Sequence, residues 1–320
     1  MQPAENEAEA PSRCAGDPGK AAPLRSSLAP EVARNGTSGF ANLDHQAMIH
    51  LRSVGLVRPD EEAATAGYPF NVPAIAALAR TPLTFDTPVT FLVGENGTGK
   101  SAMLEGIACA ANAIAIAGVD LQRDASLEPA RELARSLQLV WRSRSRRGYF
   151  LRSEDFFGFA RHISQLRNSL EDELETFNAS PGPESLGRRM ARGAYQREIG
   201  ELRRTDAVMN EVSHGESFLA LFQRRFVPRG LYLLDEPETP LSPMRQLAMI
   251  SLLRQMTCSG ESQFIIASHS PILMAFPGAT IYQLSDGAPE HIAWNDLEHV
   301  SLTRDFLNDP QLFLRHLLAE

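Results

Sequence analysis

Lysine is almost missing from this chain. Of its 31 basic residues only Lys20 and Lys100 are lysines, and the remainder are arginines. Such a bias reflects genome composition, so a lysine that it has spared marks a place where a compact ammonium is required. A planar guanidinium fork does not replace a point charge inside a tight turn. Cysteine is scarce as well: Cys14, Cys109 and Cys258 stand far apart, with no C-x-x-C spacing. That argues against a disulfide framework or a cysteine zinc site and fits a reducing cytoplasm. No apolar run reaches the ~18–20 residues that span a bilayer; the run from Ile107 to Val119 is shorter and is expected to be a buried helix. The first residues are polar and acidic with no apolar stretch, unlike a signal peptide. Positive charge is also short. At a net −8 the chain does not coat nucleic acid through a broad basic face, which leaves room only for a local basic patch.

What is present is globular material. Hydrophobic residues make up 43% of 320, enough for the core of one large α/β domain with a small insertion. Residues 1 to about 47, rich in Ala, Pro, Ser, Gly and Glu without periodicity, are expected to be disordered. They are either a real tail or the product of a start site set upstream of Met48. The domain then runs from 48 to 320. Its first strand-like stretch is Met48 to Val54, and Tyr68 to Val93 reads as short strands separated by proline turns. Val89 to Val93 has the continuous apolar character of a buried parallel strand. A helix from about Lys100 would carry Met103, Leu104, Ile107, Ala108 and Ala111 on one face. Leu137 to Trp141 and Gly148 to Arg152 read as strands flanking a turn that holds Arg142, Arg144, Arg146 and Arg147. A polar helical insertion is expected over about 154–215, broken at Ala179 to Pro183. Gly230 to Leu234 and Gln263 to Ala267 are two more buried strands. Ile281 to Leu284, His291 to Trp294 and an amphipathic helix near Pro310 to Leu318 follow. This alternation predicts an α/β fold with a mainly parallel sheet and its site at the carboxyl ends of the strands.

Between the strand at Val93 and the helix lies the series Gly94, Glu95, Asn96, Gly97, Thr98, Gly99, Lys100, Ser101, which satisfies G-x-x-x-x-G-K-[ST] in full. The glycines let successive amides, through Ala102 in the first helical turn, face one anion. Lys100 would reach the β- and γ-phosphates of a nucleoside triphosphate, and the Ser101 hydroxyl would ligate Mg²⁺. A second apolar strand ends in two acids. Asp235 there would hold Mg²⁺ through water, and Glu236 would orient and deprotonate the attacking water. A third ends near His269, 33 residues after Glu236, where it could donate to the γ-phosphate. Ser213 and Gly215, before an apolar stretch from Phe218 to Phe226, suit either another anion-binding helix start or a plain N-cap. Tyr68, 26 residues before Gly94, is either an adenine stack or a core aromatic.

Taken together these segments resemble the ABC-type ATPases, and within them the short stand-alone bacterial group labelled AAA-family ATPases. Gly94 to Ser101 is similar to Walker A, Leu231 to Glu236 to Walker B, Glu238 to Pro243 to the D-loop and Ser268-His269 to the H-loop. Val212 to Glu216 is similar to the signature, with His214 and Glu216 in place of its usual Gly and Gln. The usual Q-loop glutamine is absent, and Ser153 or Glu154 stands near its place. The resemblance implies a three-layer P-loop fold of the ABC-ATPase type, with an antiparallel N-terminal β part and a helical insertion. It further implies Mg²⁺-dependent ATP hydrolysis and an ATP-dependent head-to-tail homodimer, in which Ser213 and Gly215 of one copy close over ATP held by the other.

Two P-loop classes are set aside. A guanine-specific Asn-Lys-x-Asp needs a lysine, and none follows Lys100; long-armed ATPases need far more than the about 110 residues between Ser101 and Val212. Three readings remain: a free-standing cytoplasmic switch acting on an unknown protein partner, a nucleic-acid maintenance or defence ATPase, and the nucleotide-binding subunit of a membrane transporter. The second draws on the Arg142 to Arg147 cluster and on Arg188, Arg189, Arg192, Arg203 and Arg204, which are otherwise solvated faces.

Overall fold

The structure is a computed structural model. It describes residues 49–57, 67–115, 121–122, 124–145, 147–152, 155–180, 185–211, 219, 222, 226–258 and 261–317. The expected tail 1–47, the candidates Ser213 and Gly215, and Ser153 and Glu154 lie outside these.

The chain opens with β1 (Leu51–Leu56), a helical turn α1 (Pro73–Ala76), β2 (Leu83–Thr84) and β3 (Val89–Val93). Next come α2 (Lys100–Ala111), β4 (Ile114–Ala115), α3 (Glu128–Ser136), β5 (Leu137–Trp141) and β6 (Tyr149–Leu151). Two long helices follow, α4 (Asp155–Ala179) and α5 (Leu186–Glu211), then β7 (Leu231–Asp235), α6 (Pro243–Cys258) and β8 (Gln263–Ala267). The chain finishes with α7 (Pro271–Met274), β9 (Thr280–Gln283), β10 (Glu290–His291), α8 (Glu298–Asn308) and α9 (Pro310–Leu317).

Among the described residues two sheets form. One is antiparallel, in the order β2-β1-β5; the other has seven strands, in the order β10-β9-β3-β8-β7-β6-β4. All neighbours in the second are parallel except β10 against β9. The expected fold is therefore present: an α/β architecture with a mainly parallel sheet, an antiparallel part and a helical insertion.

The layering follows from the pleat, which sends alternate side chains to opposite faces. Leu92, Leu233 and Ile265 enter one core with Leu51, Val54, Leu104 and Ile107, so α2 is packed between the two sheets. Their neighbours Phe91, Val93, Tyr232, Leu234, Phe264 and Ile266 enter a second core with Met249 and Leu253 of α6 and Val300 of α8. Both faces of the central strands are covered, which is why they read as unbroken apolar runs. Gln263, fully buried, joins the sheets. Its Nε2 donates to Leu51 O at 2.9 Å, and its Oε1 accepts from the amides of His50 and Leu51 at 2.9 and 2.8 Å.

Two local expectations change. Tyr68 to Arg80 forms turns, α1 and a 3-10 turn rather than strands, because Val72 and Pro73 open a helical turn that seats Ile75 and Leu78 in the core. The apolar run from Ile107 is not one helix. Asn112, at φ 53°, is the left-handed C-cap of α2, and Ile114–Ala115 continue as strand. The two strands expected to flank the arginine turn are present and lie in different sheets: β5 pairs with β1, and β6 pairs with β4 and β7. In the insertion α4 and α5 lie antiparallel. Arg203 meets Glu171 at 2.9 Å, and Arg188 donates to Phe177 O at 2.7 Å.

Candidate active site

The carboxyl ends of β3, β7 and β8 are adjacent, and each delivers one part of the site. After β3 the chain turns so tightly that a Cβ on Gly94 would stand 2.4 Å from Leu284 O, and one on Gly99 2.5 Å from Val72 Cγ1. Gly97, at φ 86°, faces open space. Thr98 closes the loop: its amide and its hydroxyl donate to Glu95 O at 3.3 and 2.9 Å. Gly99 gives α2 no side-chain cap, so the amides of Lys100, Ser101 and Ala102 are first-turn donors without an intrahelical acceptor.

Lys100 is 5% exposed, and its Nζ donates to Gly94 O at 2.8 Å and Glu95 O at 2.9 Å. The ammonium thus curls over the loop that an anion would enter. Burial lowers its pKa from the ordinary value, while the carboxylates of Glu236, Asp235 and Glu238 pull it back up. Ser101 Oγ donates to Asp235 Oδ1 at 3.2 Å. Asp235 ends β7 opposite Ala267 of β8 and is 6% exposed. Burial pushes its carboxyl up to about 6, against the Ser101 hydrogen bond, and the neighbouring Glu236 adds to the rise.

Glu236 leaves the sheet with its amide on Ala267 O at 2.9 Å and φ at 45°. That left-handed turn costs a non-glycine residue roughly 1–2 kcal/mol. It projects the carboxylate away from β7, and its Oε1 stands 3.7 Å from His269 Nε2. Burial, helped by Lys100, holds the His269 pKa below its ordinary value, and Glu236 opposes.

The sequence reading missed the residue that ties these pieces together. Glu238 Oε1 accepts from Ser268 Oγ at 2.8 Å, His269 N at 2.6 Å and Ser270 N at 3.1 Å. The loop after β7 thereby clamps the loop after β8. Burial raises the Glu238 pKa, with those donors opposing. Its only signal in sequence was a third acid just after the strand-end pair. Tyr68 is corrected too: at 58% exposed it is not core, and Phe70, at 1%, takes the buried position two residues on. Burial, then Glu105 of α2, raises the Tyr68 pKa.

The structure therefore brings together Gly94 to Ala102, Asp235, Glu236 and His269. Buried Lys100 and Asp235, with half-buried Ser101, form the floor, and Glu236 and His269 stand at the half-exposed rim. No family model matches the chain, and no curated protein matches it. Solved structures similar to it include a metal-chelate type ABC transporter in an inward-facing conformation (18% identity over 81% of this chain and 89% of that one, TM-score 0.41). An ATP-binding cassette of an ABC transporter in its ADP conformation is 15% identical over 84% and 98%, with a TM-score of 0.38. The protein cbiO1 from Clostridium perfringens, part of the ABC transporter complex cbiONQ, is 17% identical over 84% and 98%, with a TM-score of 0.37. At such values the likeness stands as similarity alone, and the chemistry rests on the residues just described.

Proposed function

We propose that this chain binds ATP and Mg²⁺ and hydrolyses ATP as an ABC-type P-loop ATPase. The observation that carries the reading is the contact between Ser101 Oγ and Asp235 Oδ1 at 3.2 Å, directly beside a buried lysine. A phosphate loop without a metal acid, or an acid pair without the loop, would be ambiguous; here one side chain from each lies within a hydrogen bond.

The loop amides from Gly94 to Ala102 take the phosphate oxygens. Lys100 exchanges the carbonyls of Gly94 and Glu95 for the β- and γ-phosphates, an exchange that the low hydration of its pocket favours. Mg²⁺ fits the residues present. Ser101 and Asp235 offer two oxygens side by side, and a carboxylate this desolvated has a charge that a cation would meet. When bound, the ion supplies neutralisation of charge on the phosphate oxygens. Glu236, aimed out of the sheet, orients the attacking water and takes its proton. His269, with a lowered pKa, is neutral at pH 7 and donates one hydrogen bond to the water or the γ-phosphate. Glu238 does not touch substrate; it holds His269 in place. Tyr68, exposed ahead of the phosphate loop in the chain, is available to stack on adenine.

An ATP-dependent homodimer completes this reading. Met244 and Leu247, 65% and 50% exposed on α6 just after the loop carrying Glu238, offer apolar surface for it. The switch would act on a protein partner in the cytoplasm. No helix among the described residues is long and apolar enough to cross a membrane; the transporter reading therefore requires a separate membrane subunit, and co-purification with one would decide for it. The central test is Lys100→Ala. Loss of Mg²⁺-ATP binding by calorimetry and of phosphate release is expected, and unchanged turnover would refute the proposal.

A further inference from the structure

A second cavity, of about 380 Å³, opens at the amino end of the parallel sheet, away from the phosphate loop. Its floor is Gly148, just before β6, and Leu231, the first residue of β7; its walls are Ile114, Trp141, Arg144 and Arg147. The shape is built in. Gly148 has φ 121°, and a Cβ there would fall 1.8 Å from Leu231 O, so the chain can press against β7 only with glycine.

The backbone carrying the arginines is held from several sides. Arg142 N donates to His50 O at 2.9 Å, and His50 Nδ1 lies 2.9 Å from Ser143 O. Ser145 Oγ donates to Arg229 O at 2.5 Å, and Leu231 N donates to Arg147 O at 3.1 Å. The side chains of Arg142, Arg144 and Arg147 are nevertheless exposed and, among the described residues, have no acidic partner. Some arginines elsewhere do pair: Arg152 with Glu105 at 3.2 Å, Arg203 with Glu171 at 2.9 Å, Arg229 with Glu261 at 2.8 Å. In a chain of net charge −8, three such guanidiniums gathered on one braced loop make a local basic patch. Beside them Trp141, half-buried, rests part of its ring on the core between the sheets and has Arg144 Cζ 5.8 Å from its ring centroid, so an aromatic surface and the basic patch meet at the cavity.

We propose that this cavity binds single-stranded nucleic acid. One base enters and stacks on Trp141, and the flanking phosphates lie on Arg142, Arg144 and Arg147. At about 380 Å³ the cavity has room for one unpaired base, which a single strand can splay out and a paired duplex cannot. The inference does not depend on the ATPase reading.

The test uses the full chain with Trp294→Phe, which leaves Trp141 as the sole tryptophan of the two. A labelled oligothymidylate of about 12 nucleotides is titrated, with tryptophan emission and anisotropy as readouts. Saturable quenching is expected, with an affinity that falls with salt at a log–log slope near −2, about 0.7 per phosphate over three contacts. Arg144→Glu and Arg147→Glu should each flatten that slope and weaken binding about tenfold or more. Trp141→Ala should weaken it roughly five- to a hundredfold, and Trp141→Phe should restore most of the loss. Melting curves check folding, and the exposed arginine variants keep the test decisive should Trp141→Ala not fold. Absent quenching overturns the proposal. So does indifference to Arg144→Glu and Arg147→Glu, or equal competition by thymidine monophosphate, by duplex or by polyglutamate.

Discussion

The two ends of the parallel sheet are built on opposite principles. At the carboxyl end the charges are buried and touch one another: Lys100 on its own loop, Asp235 on Ser101, Glu238 on three donors of the neighbouring loop. At the amino end they are exposed, and only the backbone is braced. Buried charge is strong, costly and short in range; exposed charge is weak, cheap and screened by salt. The first suits chemistry on one phosphate, the second a grip on a longer polyanion. Substitutions at the two ends should therefore differ in size and in what they change.

The largest effect is expected from Glu236→Gln. Phosphate release should fall about 10²–10⁴-fold while ATP stays bound, and size exclusion should show a larger species only with ATP and Mg²⁺. Wild-type turnover in this variant would remove Glu236 from its role as base.

Asp235→Asn should separate stability from function. The Asp235 carboxyl sits at about 6 in the folded protein, above its ordinary value. The folded state accordingly binds more protons than the unfolded one between roughly pH 4 and 6, and its stability falls as pH rises through that window. Above it the ionised, desolvated carboxylate costs up to about 3 kcal/mol. The nucleotide- and metal-free Asn variant should thus melt higher than wild type at pH 7.5, with the gap closing towards pH 4, yet lose Mg²⁺-dependent turnover. A lower melting point at pH 7.5 would show that the charge is already met.

Glu238→Ala comes next. It strands three donors of the His269 loop, at a cost of about 1–3 kcal/mol in urea unfolding, with a smaller loss of turnover than Glu236→Gln. The smallest effect is expected from Arg147→Glu at the far end of the sheet, where ATP turnover without nucleic acid should match wild type. A large loss there would mean that the two ends are coupled.

Much of the carboxyl end was legible because each part is a local sentence. A β-branched run, a glycine turn and an amphipathic helix are contiguous from Val89 to Ala111, and an apolar strand that ends in acids can point them only at a cation or a ligand. The reading failed where a partner lay far off in the chain. Glu238 looked like an ordinary loop acid because Ser268, His269 and Ser270 are about 30 residues away. Tyr68 could be read as a core aromatic because nothing local shows that packing places Phe70, two residues on, inside instead. The two arginine-rich segments looked alike in sequence. Arg188, Arg192 and Arg203 turned out to bind across the α4–α5 hairpin, to Phe177 O, Asn178 and Glu171, whereas the turn after β5 keeps its cations outward.

Composition and motif were enough to specify a covered parallel sheet, a phosphate loop around the one lysine of the domain, and the order of acid and histidine behind it. These depend on side-chain periodicity and on turn geometry within a few residues. The meeting of Ser101 with Asp235, the clamp by Glu238 and the hollow between Ile114, Trp141 and Leu231 depend on which strands become neighbours. β7 lies between β6 and β8 through contacts far apart in the chain, and no window of adjacent residues encodes that choice.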